Sequence, residues 1–260
     1  MFDASAPYDS SAKPPKPSAR IEYLRSFHYV FENPNWMTNV LFVGLCILSA
    51  GVVPVVGQLV VQGYQFSIIE ALHLRPGARY PDFDMNKLLD YLLRGFWIFL
   101  VSLVLGLAML PVVAGIGGLF VAVIIAAGAA VGEDGFAIAI MVAGPILFLV
   151  LMALGLAMNV IFVPFMLRAG LTQDFGASFD FGFAKQFIGN TWKEIILVAL
   201  FSMAAGLLLS LAGLAMLCVG VFFTSSIAML MHAHLTFQLY QLHLARGGDV
   251  ISLPATTTRQ

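Results

Sequence analysis

Two stretches, Val40 to Ile69 and Ile195 to Met231, run without a single charged side chain. Each exceeds the roughly 18 apolar residues that mark a helix able to cross a lipid bilayer. The chain has 260 residues, of which 60% are hydrophobic and 10% charged. A soluble domain carries about a quarter charged residues, so the solvent for most of this chain is lipid. The expected fold class is all-α, a polytopic integral membrane helical bundle. A net charge of -1 offers no basic surface for nucleic acid. Cys46 and Cys218 both sit inside apolar runs and are too few for a disulfide framework.

Residues 1–19 read as a disordered tail, because Ser10, Lys13, Pro14, Pro15, Lys16 and Pro17 cannot build a core. No signal peptide is expected before the first apolar run. A single transmembrane domain should occupy 20–248, with a short polar tail over 249–260. Val53, Pro54 and Gly57 divide the first run into spans at 37–53 and 57–74, closed by Arg75, Pro76, Gly77 and Arg79. A third span starts at Gly95 and passes Pro111. The turn at Glu133, Asp134 and Gly135 leads to a fourth over 136–167, and the run 195–244 divides near Cys218 to Gly220, giving six.

Charge sets the parity. With the N terminus inside, all Lys and Arg residues fall on the inner side: Lys13, Lys16, Arg20 and Arg25; Arg75, Arg79, Lys87 and Arg94; Arg168, Lys185 and Lys193; Arg246 and Arg259. Basic loops stay cytoplasmic, so a multi-pass protein of the cell inner membrane with both termini in the cytoplasm is expected. A seventh span at Leu119 to Val131 would move three of these residues across and is rejected. Gly95 to Val131 as one straight helix would reach about 55 Å, against a hydrocarbon core of about 30 Å. The sequence therefore predicts a break at Pro111, Gly115, Gly117 and Gly118, with Leu119 to Val131 a second piece, tilted, re-entrant or protruding.

Each inner segment carries an amphipathic stretch. Met85, Leu88, Leu89, Leu92 and Phe96 share one helical face, with Asp84, Lys87, Asp90 and Arg94 on the other. Phe175, Phe179, Phe183 and Phe187 make a second stripe, and Ile21, Leu24, Phe27 and Phe31 a third. Such faces lie at the headgroup boundary or pack on the protein's own spans. Phe83 and Asp84 align with Phe179 and Asp180, and Leu72 to Arg75 echo Leu242 to Arg246, which gives three units, each an interfacial helix followed by a membrane hairpin.

Ionisable groups inside a bilayer are functional candidates. Gln58, Gln62 and Gln65 lie on one face of the second span, with Glu70 and His73 below. They line a polar path or act as interhelical glue, Glu70 then pairing with Arg75. His234, Gln238 and Gln241 share a face of the last span, which also carries His232 and His243. His232 and His234 point to different sides, and no His pair has the i, i+4 spacing of a metal site. No catalytic motif, cofactor or metal is expected, although Glu70, His73 and His243 in one pocket would favour an enzyme. The small pairs Ala126 with Ala130 and Ala153 with Ala157 read as packing residues.

The string Phe31, Glu32, Asn33, Pro34, Asn35, Trp36, followed by Pro54, Val55, Val56, Gly57, then Gly63, Tyr64, then Tyr80, Pro81, Asp82, Phe83, Asp84 and Leu93, Arg94, Gly95, resembles a prokaryotic membrane-protein family, domain of unknown function 4013. The likeness covers residues 25–113 best. It implies no catalytic residues, and the outer hairpin, around Ala114 to Gly144, is longer than the family leads one to expect. The resulting expectation is a non-enzymatic membrane organiser that binds membrane lipids or membrane-protein partners. A small transporter or lipid-handling permease is the alternative.

Overall fold

The computed structural model describes residues 20–49, 53–75, 78–216 and 220–254. The expected tail over 1–19, the division point at Cys218 and the end segment Thr256 to Gln260 lie outside these. Among the described residues all regular structure is helical. α1 is Tyr23–Glu32, α2 Trp36–Ser49, α3 Val56–Leu74, α4 Leu88–Val131, α5 Glu133–Thr172, α6 Phe175–Ser178, α7 Phe181–Ala215 and α8 Gly220–Ala245. Four helical stretches, Met85–Val131, Asp134–Thr172, Phe175–Ala215 and Gly220–Ala245, are long and apolar enough to cross a membrane; α2 is a shorter apolar helix. The protein is membrane-embedded.

The helix starts follow local chemistry. Asp84 accepts from Asn86 N at 2.9 Å ahead of α4, Asp174 from Ala177 N at 2.7 Å at α6, and Asp180 from Phe183 N at 3.0 Å at α7. A carboxylate at this position satisfies amide groups that the first turn leaves unpaired. The aligned pair Asp84 and Asp180 thus plays related parts, Asp84 at the single 3-10 turn Met85–Lys87 that leads into α4 and Asp180 at the start of α7 itself.

The helices close into a ring. α2 packs on α3, α3 on α4, α4 on α5, α5 on α7, α7 on α8, and α8 returns to α2. α3 also touches α5 and α8, which fills the interior, and α1 lies against α8. The second helix of each hairpin meets the first helix of the next, the neighbour order that three successive hairpin units generate. Close approach of α3 to α4 rests on two glycines. A Cβ on Gly63 would collide with the main chain of Tyr91, and one on Gly95 with that of Leu59.

The break expected at Pro111 is absent. α4 is one helix of 44 residues with Pro111 inside it, about 66 Å long. Proline removes one hydrogen bond and tolerates helical φ, and α5 packed alongside supports the turn. Gly115, Gly117 and Gly118 have nothing within 4 Å of a Cβ position. The amphipathic stripes also divide. Met85, Leu89 and Phe96 face outward, as do Leu24, Phe27 and Phe31, whereas Phe183 and Phe187 are buried in the core. Arg94, assigned by periodicity to the polar face, is buried, because the Gly95 contact turns that side of α4 toward α3.

Candidate functional site

The glutamine face of α3 does not act as a unit. Gln58 and Gln62 are half-buried. Gln65 is buried and spans to α8, where its Nε2 donates to the Met229 carbonyl at 2.8 Å and approaches Met229 Sδ at 3.3 Å. It serves as the interhelical tie.

On α8, His234 and Gln238 converge on α1. The Gln238 Oε1 accepts from Glu22 N at 2.6 Å, while its Nε2 donates to Glu22 O at 3.2 Å and to Ser26 Oγ at 2.9 Å. His234 Nδ1 lies 2.9 Å from Ser26 Oγ, and its ring stacks on Tyr29 at 4.0 Å between centroids. Glu22 has no side-chain cap of its own, so Gln238 supplies one from another helix. His232 faces Ser202 of α7 instead, at 3.4 Å. Gln241 is half-buried. His243 is fully buried against Phe183 and Phe187, with Asn190 Nδ2 at 3.4 Å from its Nδ1. His73 contacts Tyr240, with ring centroids 5.1 Å apart. His73 and His243 therefore address different neighbours rather than one pocket.

A second polar cluster was not singled out from the sequence. Asp82, on the segment between α3 and α4, receives three amides: Asn33 Nδ2 at 2.9 Å and Asn39 Nδ2 at 3.1 Å on Oδ1, and Asn35 Nδ2 at 2.7 Å on Oδ2. Asn33 also donates to the Tyr80 carbonyl at 2.9 Å, Asn39 Oδ1 accepts from Phe83 N at 2.8 Å, and Tyr64 OH donates to the Pro81 carbonyl at 2.8 Å. Desolvation pushes the Asp82 carboxyl up, but the amides of Asn35, Asn39 and Asn33 outweigh it and hold it below its usual range. Tyr80 OH donates to the Val30 carbonyl at 2.7 Å, and burial pushes its phenol up to about 12. The clasp ties the α1–α2 turn to the α3–α4 connection. Its legible signal was the spacing of Asn33, Asn35 and Asn39 opposite a Tyr-Pro-Asp turn.

The one ion pair in which both side chains are buried, among the described residues, joins α3 to α4. Arg94 Nη2 lies 2.5 Å from Glu70 Oε2, and the residues are 9% and 5% exposed. Glu70 pairs with Arg94 and not with Arg75, because the glycine-mediated approach of α4 brings Arg94 under α3. Glu70 Oε1, Arg94 Nη1 and His73 Nδ1 are buried without a hydrogen-bond partner. The other interhelical pairs, Arg168 with Asp180 at 3.2 Å and Arg246 with Glu194 at 2.5 Å, are more exposed. Among the described residues no group of His, Cys, Asp and Glu is arranged to hold a metal ion.

The sequence matches the family described as Protein of unknown function (DUF4013) over residues 46–219. The chain belongs to this family. The matched region runs from the end of α2 through α7, so it reaches well beyond residue 113 and includes the long α4–α5 hairpin. It contains Gly63, Gly95, Glu70, Arg94 and Asp82, the groups that join α3 to α4 and its connection; the asparagines of the clasp precede it. Neither a curated protein nor a solved structure matches the chain.

Proposed function

We propose that this DUF4013 chain is a non-enzymatic organiser of the cytoplasmic membrane, which holds lipids or partner membrane proteins on its outward apolar surface, with both termini in the cytoplasm. One observation carries the reading. Between residues 102 and 164 of the α4–α5 hairpin, Ala143 is the one buried hydrophobic residue, while Leu119, Ile125, Ile138, Phe148 and Met141, the last 80% exposed, face outward. The small pairs Ala126 with Ala130 and Ala153 with Ala157 also face outward, free to meet something other than this chain's own helices. Two of the polar side chains that a transport path would use serve as internal ties: Gln65 on Met229, and Gln238 on Glu22 and Ser26.

Three experiments test this. Photoreactive side chains at Met141 and Phe148 in native membranes should yield discrete lipid or protein adducts; their absence would count against the organiser reading. Single cysteines at Gln58, Gln62 and Gln65 should be protected from aqueous thiol reagents, and labelling at all three would favour a permease. Reporters fused after Arg79 and after Lys185 should report the cytoplasm, as the basic residues of those segments require.

A further inference from the structure

We propose that Glu70, Arg94 and His73 form a binding site for a phosphoethanolamine headgroup at the basic end of the bundle. The inference deepens the lipid-binding part of the function proposed above and rests on it. Its starting point is the atoms the ion pair leaves unused. Glu70 and Arg94 meet through one oxygen and one nitrogen, so an anionic acceptor, Oε1, and a cationic donor, Nη1, stay buried and unpartnered. His73, one turn from Glu70 on α3, also buries its Nδ1 without a partner.

The chemistry of these atoms selects the ligand. A phosphate alone would meet Arg94 but face the free carboxylate oxygen, and an ammonium alone would meet Glu70 but face the guanidinium. A group carrying both N–H donors and a phosphate satisfies both ends. Phosphoethanolamine has this pair, whereas the quaternary ammonium of phosphocholine has no N–H to donate. The depth agrees. Glu70 lies four residues before Leu74, the last residue of α3, about 6 Å along the axis, which places it near headgroup level. Arg75, Arg79 and Lys87 on the connection to α4 are exposed and draw phosphate toward this end. Half-buried His73, against Tyr240, is the least buried of the three side chains and so borders the entry to the site.

The test is competitive lipid retention on the purified full-length protein, read by native mass spectrometry. With matched acyl chains, phosphatidylethanolamine should be retained about tenfold over phosphatidylcholine, the difference that a charged hydrogen bond makes. Glu70→Gln should abolish that preference, and Arg94→Gln should weaken retention of phosphatidylethanolamine and phosphatidylglycerol alike. Soluble phosphoethanolamine at millimolar concentration should displace the lipid from the unaltered protein, and phosphocholine should not. This last arm decides the matter if the variants misfold, and it separates free from lipid-borne headgroup: binding of the soluble group with no lipid retention would assign a small-molecule site. Equal retention of the two lipids together with no displacement would overturn the proposal. If the protein nevertheless yields hairpin adducts in membranes, the organiser reading survives that failure.

Discussion

Gln238 of α8 holds both main-chain polar groups of Glu22, accepting from its N–H at 2.6 Å and donating to its carbonyl at 3.2 Å. One side chain thus fixes the start of α1, whose buried face is Ser26, Tyr29 and Val30 and whose outward face is Leu24, Phe27 and Phe31. α1 is held on α8 by these polar bonds together with the Tyr29 ring stacked on His234. Gln238→Leu removes these bonds and leaves the Glu22 N–H without its partner, while Ser26 keeps His234, so it should destabilise α1 docking by about 1–2 kcal/mol. Hydrogen exchange across Tyr23–Glu32 checks this: faster exchange there, with α4 and α5 unchanged, is the expected result.

Asp82 should confer an acid-sensitive stability. Its carboxyl ionises more readily in the folded clasp than at its ordinary value of 3.8. A depressed folded value means the contribution is complete above about pH 4 and is lost as pH falls further, through the folded pKa. The side chain is partly exposed, so the effect is modest. Asp82→Asn should flatten that acid limb, and Asp82→Ala should cost about 1–2 kcal/mol at neutral pH, chiefly by leaving the buried Asn39 amide without its acceptor. Unfolding in mixed micelles followed at pH 7 and at about pH 3 measures both; an unchanged acid limb in Asp82→Asn would remove the carboxylate from the explanation.

Helix order was largely readable from the sequence because punctuation in an apolar chain is sparse and therefore informative. Val53 and Pro54 lie between α2 and α3, with Gly57 already inside α3, and the α4–α5 turn falls at Gly132, just before the expected Glu133 to Gly135, which open α5. Pro111 misled the reading: proline breaks an isolated helix, but its cost falls when the neighbouring helix and the lack of competing water keep the remaining bonds intact. The partner of Glu70 was hidden for a different reason. Arg75 is nearer in sequence, while Arg94 becomes its neighbour only through the tertiary approach that Gly63 and Gly95 permit. The asparagine clasp has a signal in its spacing but is easily passed over, because Asn33 and Asn35 flank a proline and look like ordinary turn residues until Asp82 is folded beneath them.

The glycine contact gives the third prediction. Gly63→Ala or Gly95→Ala places a methyl group against backbone, which cannot rotate aside, and should destabilise the fold by more than about 2 kcal/mol while loosening the Glu70–Arg94 contact. Gly115→Ala and Gly117→Ala, which meet open space, are the matched controls and should fall within about 0.5 kcal/mol of the parent. Thermal unfolding in one detergent, compared across the four variants, separates them; four equal values would mean that α3 and α4 do not approach as described.

The buried pair itself should show strong coupling. Arg94→Leu leaves the Glu70 carboxylate buried without its cation, and Glu70→Leu does the converse, so each single change should cost about 3–5 kcal/mol. The double change removes both charges together and replaces them with side chains that suit the apolar interior between α3 and α4. Its cost should therefore be well below the sum of the single costs, close to that of either alone or less. Reversible unfolding of the parent, both singles and the double closes the cycle. Additive costs would show that Glu70 and Arg94 act independently, which the 2.5 Å contact between them does not allow.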